Sequence, residues 1–371
     1  MEVYALIGGG GTAGHVLPGI AVARELVTRG HDVTSIRFVG AERGSDASLV
    51  VHAGFEIDVL PGRGIRRSLS LSAMRSNLAA IVGIFRSMWR GVLLMRRYRP
   101  SVVVSVGGYA SLACSFGAVV TRVPLVLMEQ NAKAGAANRV MRFFAKASAV
   151  PFEQTDLTRA VVTGNPVRSE ILAVDRRRDR ASACGALGID DTRTVIAVAS
   201  GSLGSRRIND AVFEAAKAWR DRPDLAVYHV IGRRDFASTA AAREAATGGA
   251  LSYQSVEYED RMAQVYAACD LVIGRAGGST VAELAVVGLP SVLVPLPIAP
   301  RDHQTANARA LGDAAIVVAD AEFTGERLVA VVTPLLDDPS RLAAMGSHAA
   351  ALGHRDAAAR VADLVESHAR R

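Results

Sequence analysis

The chain has 371 residues, of which 50% are hydrophobic and only 5% aromatic. This length exceeds what one ordinary hydrophobic core organises and is sufficient for two domains. The net charge of +7 suits a phosphorylated ligand or an anionic lipid, whereas the scarcity of aromatic residues argues against base stacking, so we expect no nucleic-acid partner.

The cysteines and the chain start predict a cytoplasmic protein. Cys114, Cys184 and Cys269 are far apart, odd in number and set in apolar or alanine-rich sequence, which is typical of reduced core residues and not of a metal site. The first strand is predicted almost at Met1, which leaves no room for a signal peptide. No uncharged apolar stretch reaches the roughly 20 residues that a membrane span needs.

In the first half, short Val, Ile and Leu runs alternate with alanine-rich amphipathic stretches, as in parallel sheets covered by helices. The pattern predicts strands at residues 3–7, 34–39, 102–106, 124–129 and 160–162. The glycine-rich segment GGGGTAG, at residues 8–14, follows the first strand. It leads into a helix predicted over residues 15–29, with Gly30 as its stop.

A second, similar series begins after Gly164-Asn165-Pro166, where we expect a hinge. Strands are predicted at residues 194–199, 225–231, 271–273, 291–294 and 315–318. Helices are predicted at residues 279–287 and 303–311, and an amphipathic helix at 357–368 is expected to pack back on one domain. The pattern favours an α/β fold of two doubly wound domains with a ligand in the cleft between them, with a single large sheet as the alternative.

The first glycine loop and the residue after it predict a polar site. Glycines permit close backbone approach, and the following helix start offers unpaired N–H groups to an anion or a sugar. The positive field at a helix start favours the neutral form of His15, which can then accept a proton from an attacking hydroxyl. The alternatives are a structural turn, a histidine bonded to a backbone carbonyl, or a dinucleotide loop in which Glu42 binds the ribose.

The second half contains polar residues at equivalent places. Ser202, in the loop GSLG at residues 201–204, has a hydroxyl suited to a phosphate. Glu283 lies one turn into a helix that follows a strand, where a carboxylate can accept two hydrogen bonds from a ribose diol or simply favour the helix dipole. Gln304 can both donate to and accept from sugar hydroxyls. No Asp-x-Asp pair occurs, so we expect no metal, and helix N-termini with Arg168 are expected to neutralise a diphosphate.

Residues 63–99 combine nine arginines with many apolar residues, including Trp89. Such a basic amphipathic segment suits the plane of an anionic membrane interface. The alternative is an ordinary helix pair that covers the first sheet with solvated arginines.

Seven motifs, in this order, resemble the MurG family of bacterial transferases over nearly the whole chain. They are GGGTAGHVLP at residues 9–18, VGGY at 106–109, EQN at 129–131, GNPVR at 164–168, GSLG at 201–204, the segment 277–283, and DHQ at 302–304 with Asn307. The resemblance implies a GT-B fold and an inverting, metal-independent and cofactor-free transfer of N-acetylglucosamine. The donor is UDP-N-acetylglucosamine, and the acceptor is the C4 hydroxyl of undecaprenyl-diphosphate-linked N-acetylmuramoyl-pentapeptide, which converts lipid I to lipid II.

The resemblance also implies domains at residues 1–163 and 164–350 with a final helix in 351–371, and a peripheral location on the cytoplasmic face of the cell membrane. In the first domain Thr12, Ala13 and Gly14 would line the cleft, His15 would be the base and Asn131 would reach the donor sugar. Arg168 and Ser202 would meet the diphosphate, and the backbone near Glu259 would read the uracil. Gly278, Ser279 and Thr280 would cap the phosphates, with Val281 and Ala282 as further substrate-binding residues. Glu283 would bind the ribose, and Gln304 the acetylated sugar.

Two departures from the family pattern concern the second half. Ser200 stands where the family usually has glycine, and residues 312–315 look one residue short. Three other activities remain open alternatives: another GT-B transferase, a nicotinamide-dependent oxidoreductase in which Glu42 is essential, and a non-catalytic sugar-nucleotide sensor.

Overall fold

The computed structural model describes residues 3–10, 13–42, 46–60 and 71–370, without the side chains at 13, 46, 71–82 and 84. The chain divides into two compact units: unit 1 is Met1–Arg168 with His354–Arg371, and unit 2 is Ser169–Gly353. The divisions predicted at 163/164 and 350/351 lie a few residues before these boundaries. Within the described ranges, no helix is both long and apolar enough to cross a membrane.

Unit 1 contains a parallel sheet of seven strands in the order β3-β2-β1-β4-β5-β6-β7. The strands are β1 (Ala5–Gly8), β2 (Ile36–Ala41), β3 (Glu56–Leu60), β4 (Val102–Ser105), β5 (Leu125–Met128), β6 (Ala147–Val150) and β7 (Ala160–Val162). The central strands are short apolar runs such as VVVS and LVLM that are buried along their whole length, as expected of parallel strands covered on both faces.

Helices cover both faces of this sheet. They are α1 (Ala13–Thr28), α2 (Asp46–His52), α3 (Leu71–Tyr98), α4 (Tyr109–Val120), α5 (Ala136–Met141) and, from the C-terminus, α15 (Ala357–His368). On one face α1, α2 and α15 pack through residues such as Leu26, Val50 and Val361. On the other face α3, α4 and α5 pack through residues such as Met95, Cys114 and Met141. The C-terminal helix therefore belongs to the core of unit 1.

Unit 2 contains a parallel sheet of six strands in the order β10-β9-β8-β11-β12-β13. The strands are β8 (Thr194–Ala199), β9 (Leu225–Val230), β10 (Ser252–Val256), β11 (Leu271–Gly274), β12 (Ser291–Leu293) and β13 (Ala315–Val317). The helices are α6 (Ser169–Leu172), α7 (Arg176–Leu187), α8 (Arg206–Ala218), α9 (Ala240–Ala246), α10 (Met262–Ala268), α11 (Gly278–Val287), α12 (His303–Ala310), α13 (Gly325–Leu336) and α14 (Pro339–Ala351). Its largest core cluster joins the sheet to α8, α13 and α14.

The predicted fold of two Rossmann-like units is confirmed, and the single-sheet alternative is wrong. Both sheets follow the doubly wound order, with the first strand of each unit in the middle. Strands β3, β6 and β10 are additional to those predicted from the sequence. The basic segment forms one long helix in its described part, α3, and not a helix pair.

Candidate functional site

Each sheet has one topological switch point, where the connections leave in opposite directions. In unit 1 it lies between β1 and β4, and in unit 2 between β8 and β11. Ligands of open α/β sheets bind beyond the carboxyl ends of the strands at such points. The loop after β1 leads to the predicted His15, and the loops after β8 and β11 contain Ser202 and lead to Glu283. The other predicted residues Asn131, Glu259 and Gln304 follow the neighbouring strands β5, β10 and β12.

The unit 1 switch point is built by two glycine loops in close contact. Gly108, at φ 84°, approaches the loop after β1 so closely that a Cβ there would lie 2.0 Å from the carbonyl oxygen of Gly10. Any larger residue would push the two loops apart. Gly11 and the predicted Thr12 lie outside the described residues. The predicted Ala13 and Gly14 form the start of α1.

His15 is the third residue of α1 and is half-buried beside the loop after β4. Its Nδ1 lies 2.8 Å from Oε1 of Gln130. Gly107 packs against the ring, since a Cβ at Gly107 would lie 3.2 Å from both Cε1 and Nδ1 of the imidazole. Among the described residues, Nε2 of His15 has no hydrogen-bond partner, and this nitrogen is the one that can act on a substrate.

Gln130 and Asn131 belong to a loop after β5 that is organised by the buried carboxylate of Glu129. Oε1 of Glu129 accepts hydrogen bonds from the backbone N–H of both Gln130 and Asn131 and from Nδ2 of Asn131, at 3.1 to 3.2 Å. Oε2 accepts from Gly135 N and from Nδ2 of Asn138, both at 3.0 Å. Five donors compensate the burial of this charge and fix the loop. The structure thus brings His15 and Asn131 to the same edge of unit 1.

In unit 2, Ser202 lies exposed in the loop between β8 and α8. Its carbonyl oxygen accepts a hydrogen bond from Arg233 N at 3.2 Å, which ties this loop to the one after β9. The residue before the loop, Ser200, is buried, and its Oγ has no hydrogen-bond partner among the described residues. The predicted effect of Ser200 on the shape of this loop stays a prediction.

The predicted phosphate segment forms the first turn of α11. Gly277 precedes the helix without a side-chain cap, so the backbone N–H groups of residues 278–280 point away from the helix start as they would toward an anion. Val281 is buried against the core, and Ala282 is partly exposed. Glu283 is buried in the second turn of α11, where it accepts a hydrogen bond from the Tyr266 hydroxyl at 3.1 Å.

Gln304, in the first turn of α12, is held by its carbonyl end. Oε1 accepts hydrogen bonds from Ala276 N at 3.2 Å and from Leu296 N at 3.0 Å. The sequence predicted a side chain that both donates and accepts. The structure instead uses its acceptor to join the loops after β11 and β12, which leaves Nε2 as the group that can reach a ligand by donating.

The carboxylate of Glu259 is engaged within unit 2. Arg261 donates to both of its oxygens, at 3.0 and 3.1 Å, and the Tyr228 hydroxyl donates to Oε2. Burial alone would raise the pKa of Glu259, but these hydrogen bonds lower it below its ordinary value. Burial also raises the pKa of Tyr228 to about 12, assisted by the neighbouring carboxylate. The side chain therefore fixes this loop, and the contact between its backbone and a uracil, which the resemblance implies, stays a prediction.

Arg168 is half-buried at the last position of unit 1. In unit 2, Arg275 is a structural residue that sequence reasoning missed. It donates to the carbonyl oxygens of Val294 and Pro295, at 3.0 and 3.2 Å, and to Oγ of Ser205 at 2.6 Å. One guanidinium thus joins the loops after β8, β11 and β12. The sequence signal for Arg275 was its position directly after the apolar strand β11, where site residues of parallel sheets lie.

The described part of α3 has an exposed stripe of apolar residues four positions apart: Phe85, Trp89 and Leu93 are 67%, 60% and 47% exposed. Arg86 and Arg90 are exposed beside them. The buried side of the helix faces α4, where the Tyr109 hydroxyl donates to Gly83 O at 3.1 Å and shares a hydrogen bond with the Ser87 hydroxyl at 2.7 Å. The part of the predicted segment at residues 63–70 lies outside the described residues.

Two observations concern other potential sites. In the described ranges, no three His, Cys, Asp or Glu side chains come together as ligands for a metal; the metal-independent mechanism stays a prediction. A surface cavity of about 330 Å³ in unit 2 is lined by α6, α7 and α10, and none of the predicted site residues lines it.

The comparisons with known proteins cover both units. Residues 5–150 match the glycosyltransferase family 28 N-terminal domain, and residues 195–361 match the family 28 C-terminal domain. A protein of Desulforudis audaxviator is 36% identical over 97% of both chains, and one of a Nocardioides species is 41% identical over 97% of this chain and 96% of its own. Each is named UDP-N-acetylglucosamine–N-acetylmuramyl-(pentapeptide) pyrophosphoryl-undecaprenol N-acetylglucosamine transferase.

Solved structures give the same result for the fold. The crystal structure of Acinetobacter baumannii MurG is 27% identical, with a TM-score of 0.78 over 99% of this chain and 100% of that one. The UDP-GlcNAc 2-epimerase of Neisseria meningitidis, solved with UDP-GlcNAc, is 13% identical with a TM-score of 0.67 over 99% of this chain and 100% of that one. At that identity the second likeness concerns the fold alone.

Proposed function

Because the chain belongs to glycosyltransferase family 28, we propose that it transfers N-acetylglucosamine from UDP-N-acetylglucosamine to the C4 hydroxyl of undecaprenyl-diphosphate-linked N-acetylmuramoyl-pentapeptide. The predicted enzyme class, a hexosyltransferase, is confirmed by the family match. The substrate assignment rests on relatives that are named for this reaction. They share 33–41% sequence identity with this chain over nearly its full length. The same observation favours a transferase over a nicotinamide-dependent enzyme or a sensor.

Unit 2 is the proposed donor half. The N-terminus of α11, which has no side-chain cap at Gly277, and the hydroxyl of Ser202 are suited to the diphosphate, because both present donors to an anion. Glu283 is suited to the ribose, since the Tyr266 hydroxyl orients its carboxylate, a group that accepts hydrogen bonds from a diol. Gln304 would donate from Nε2 to the acetylated sugar. Arg168, at the end of unit 1, is the proposed additional cation for the diphosphate.

Unit 1 is the proposed acceptor half, with His15 as the base. Nε2 takes the proton from the acceptor O4, and O4 forms a bond to the anomeric carbon from the face opposite the diphosphate. The bond from that carbon to the diphosphate oxygen breaks, and its electron pair leaves on UDP. Helix N-termini and Ser202 stabilise the charge that develops on UDP, as preorganised donors do in other group transfers. Asn131 would orient the donor sugar from unit 1.

The polyprenyl acceptor places the reaction at a membrane, and we assign α3 to that surface. Phe85, Trp89 and Leu93 are exposed in a stripe, and arginines flank them, which is the combination that binds the interface of an anionic bilayer. The proposed location is the cytoplasmic face of the cell membrane, with peripheral attachment.

The donor assignment is tested by calorimetric titration of the purified protein with UDP-N-acetylglucosamine, UDP-glucose and NADH, without added metal. We expect preferential binding of UDP-N-acetylglucosamine, weakened roughly 10- to 100-fold in Glu283→Gln because a charge-assisted hydrogen bond to the diol is lost. The control is Glu326→Gln, which changes an exposed glutamate in the first turn of α13. Binding of NADH alone, or an equal loss in both variants, would contradict the assignment.

A further inference from the structure

Gln130 contacts His15 in a way that selects one form of the imidazole. We infer that Gln130 is a positioning residue that holds His15 as the Nδ1–H tautomer and so leaves Nε2 as the proton acceptor; its catalytic meaning rests on the proposed function. Gln130 is 2% exposed, and its Oε1 lies 2.8 Å from His15 Nδ1. A neutral imidazole has one N–H and one lone pair, so the partner of one nitrogen decides what the other can do.

The orientation of the Gln130 amide follows from its second contact. Its Nε2 lies 3.2 Å from the carbonyl oxygen of Met128. A carbonyl oxygen only accepts, so the amide must present its NH2 group to Met128 and its oxygen to His15. The opposite orientation would place two oxygens against each other and lose this hydrogen bond. Met128 therefore fixes which end of the amide faces the histidine.

The tautomer of His15 follows in turn. Oε1 of Gln130 carries no hydrogen, so the 2.8 Å contact requires a proton on Nδ1. The neutral ring then has its lone pair on Nε2, the nitrogen without a partner among the described residues. In the other tautomer two lone pairs would face each other, and Nε2 would carry the proton that the base must receive.

Two neighbours keep the ring and the amide in this arrangement. Gly107, at φ 90°, lies beside the imidazole, and a side chain there would displace the ring, since its Cβ would lie 3.2 Å from Cε1 and Nδ1. The backbone N–H of Gln130 donates to Oε1 of Glu129 at 3.1 Å, and Glu129 is itself 2% exposed. The hydrogen-bonded chain therefore runs from the Glu129 carboxylate through the Gln130 backbone, and from the Gln130 amide to His15.

The test reads the tautomer directly, without substrate. The full chain is labelled with 15N-histidine, and long-range 1H–15N spectra report which ring nitrogen carries the proton; His15→Gln identifies the signals. We expect Nδ1–H in the wild type and loss of that preference in Gln130→Met, which removes the acceptor at similar volume. Gln130→Glu keeps an oxygen facing Nδ1 and should keep the tautomer. Gln254→Met changes a distant glutamine in β10 and should leave the His15 signals unchanged.

Kinetics separate positioning from folding. In Gln130→Met we expect kcat to fall about tenfold or more, with a change of less than about twofold in the dissociation constant for UDP-N-acetylglucosamine. An Nε2–H tautomer in the wild type, or an unchanged tautomer in Gln130→Met, would overturn the inference whatever happens to kcat. A wild type that has the Nδ1–H tautomer but no transferase activity would instead refute the proposed function and leave the tautomer assignment standing.

Discussion

The helices α1 and α11 begin in the same way but present different chemistry. Each follows a glycine-rich loop beside the switch point of its parallel sheet. The first turn of α1 contains His15, whose ring contacts Gln130. The second turn of α11 contains Glu283, which accepts a hydrogen bond from the Tyr266 hydroxyl. The backbone supplies a site for an anion or a sugar in both units, and the side chain at the helix start decides between proton transfer and binding.

The supporting contacts differ in a way that fits this division. Gln130 is an uncharged partner that uses one nitrogen of His15 and leaves the other. In unit 2, Gln304 uses its oxygen to join two loops and leaves its nitrogen. The imidazole of His15 and the amide of Gln304 can each both donate and accept hydrogen bonds. In each case one atom of the group is already hydrogen-bonded, so the other atom has a single chemical role. We therefore expect changes at His15 and Gln130 to affect turnover, and changes at Glu283 and Gln304 to affect donor affinity.

The largest expected effect is on turnover, in His15→Gln. Loss of the general base should lower kcat roughly 100- to 10,000-fold, because proton transfer in the transition state contributes that much. Donor affinity should change little. Steady-state kinetics with calorimetric donor binding measure both quantities, and His52→Gln, a histidine at the end of α2, is the control. A loss of donor affinity with preserved kcat would contradict the assignment of the base.

The next largest effect concerns the membrane surface, which we place in unit 1 alone. The double variant Phe85→Ser, Trp89→Ser should bind vesicles containing anionic lipid about 10- to 100-fold more weakly, because two exposed aromatic side chains no longer insert. Vesicle co-sedimentation measures the partition. Val51→Ser is the control, since Val51 is also exposed but lies on α2, which covers the other face of the sheet. Equal losses in both proteins would argue against α3 as the docking surface.

A smaller effect is expected in unit 2 from Gln304→Glu. Glutamate keeps an oxygen for the N–H groups of Ala276 and Leu296 but lacks the NH2 group. The affinity for UDP-N-acetylglucosamine should therefore fall about tenfold, with a smaller change in kcat at saturating donor. Calorimetry with Gln254→Glu as the control measures this. Donor binding equal to that of the wild type would show that Nε2 does not contact the sugar.

The smallest effect is on stability and involves a histidine with both nitrogens engaged. Nδ1 of His229 lies 2.9 Å from the Tyr253 hydroxyl, Nε2 lies 3.0 Å from Oδ1 of Asn209, and burial lowers the pKa of His229 to about 3. The pKa in the unfolded chain is about 6.5, so protons favour the unfolded state below that pH. The free energy of unfolding should fall by up to about 1.4 kcal/mol per pH unit on acidification from about 6.5 toward 3.

Urea unfolding tests this prediction by measuring the free energy of unfolding between about pH 7 and pH 5. Most carboxylates titrate below this range. The fluorescence of Trp219, buried in unit 2, reports the transition. His229→Gln should remove part of the pH dependence, whereas His348→Gln, an exposed histidine of α14, should not. An unchanged slope in His229→Gln would mean that His229 is not the group responsible.

The sequence was sufficient for the parts of the fold that have local signals. Strands rich in Val, Leu and Ile and the glycine loops that follow β1 and β8 were predicted close to their observed positions. Strand β6, ASAV, was not predicted because buried alanine and serine show no apolar run or alternation. Strands β3 and β10 mix polar and apolar residues at or near sheet edges and show a similarly weak signal.

The sequence was sufficient to predict which residues belong to the site, but not which atoms they contact. Gln130 lay within a motif of the family resemblance, yet its role depends on His15, which is 115 positions away in the chain. Which end of the Gln304 amide is engaged depends on two backbone N–H groups brought together only by folding. Arg275 joins three loops for the same reason. These are tertiary facts, and no local periodicity encodes them.

The most direct test of the account is a transfer assay in EDTA. The purified protein is incubated with labelled UDP-N-acetylglucosamine and an undecaprenyl-diphosphate-linked N-acetylmuramoyl-pentapeptide, and the lipid and nucleotide products are analysed by mass spectrometry. We expect one β-linked N-acetylglucosamine on the lipid for each UDP released, with kcat lowered roughly 100- to 10,000-fold in His15→Gln. Epimerisation of the donor, or binding of the donor without any transfer to the lipid, would contradict it.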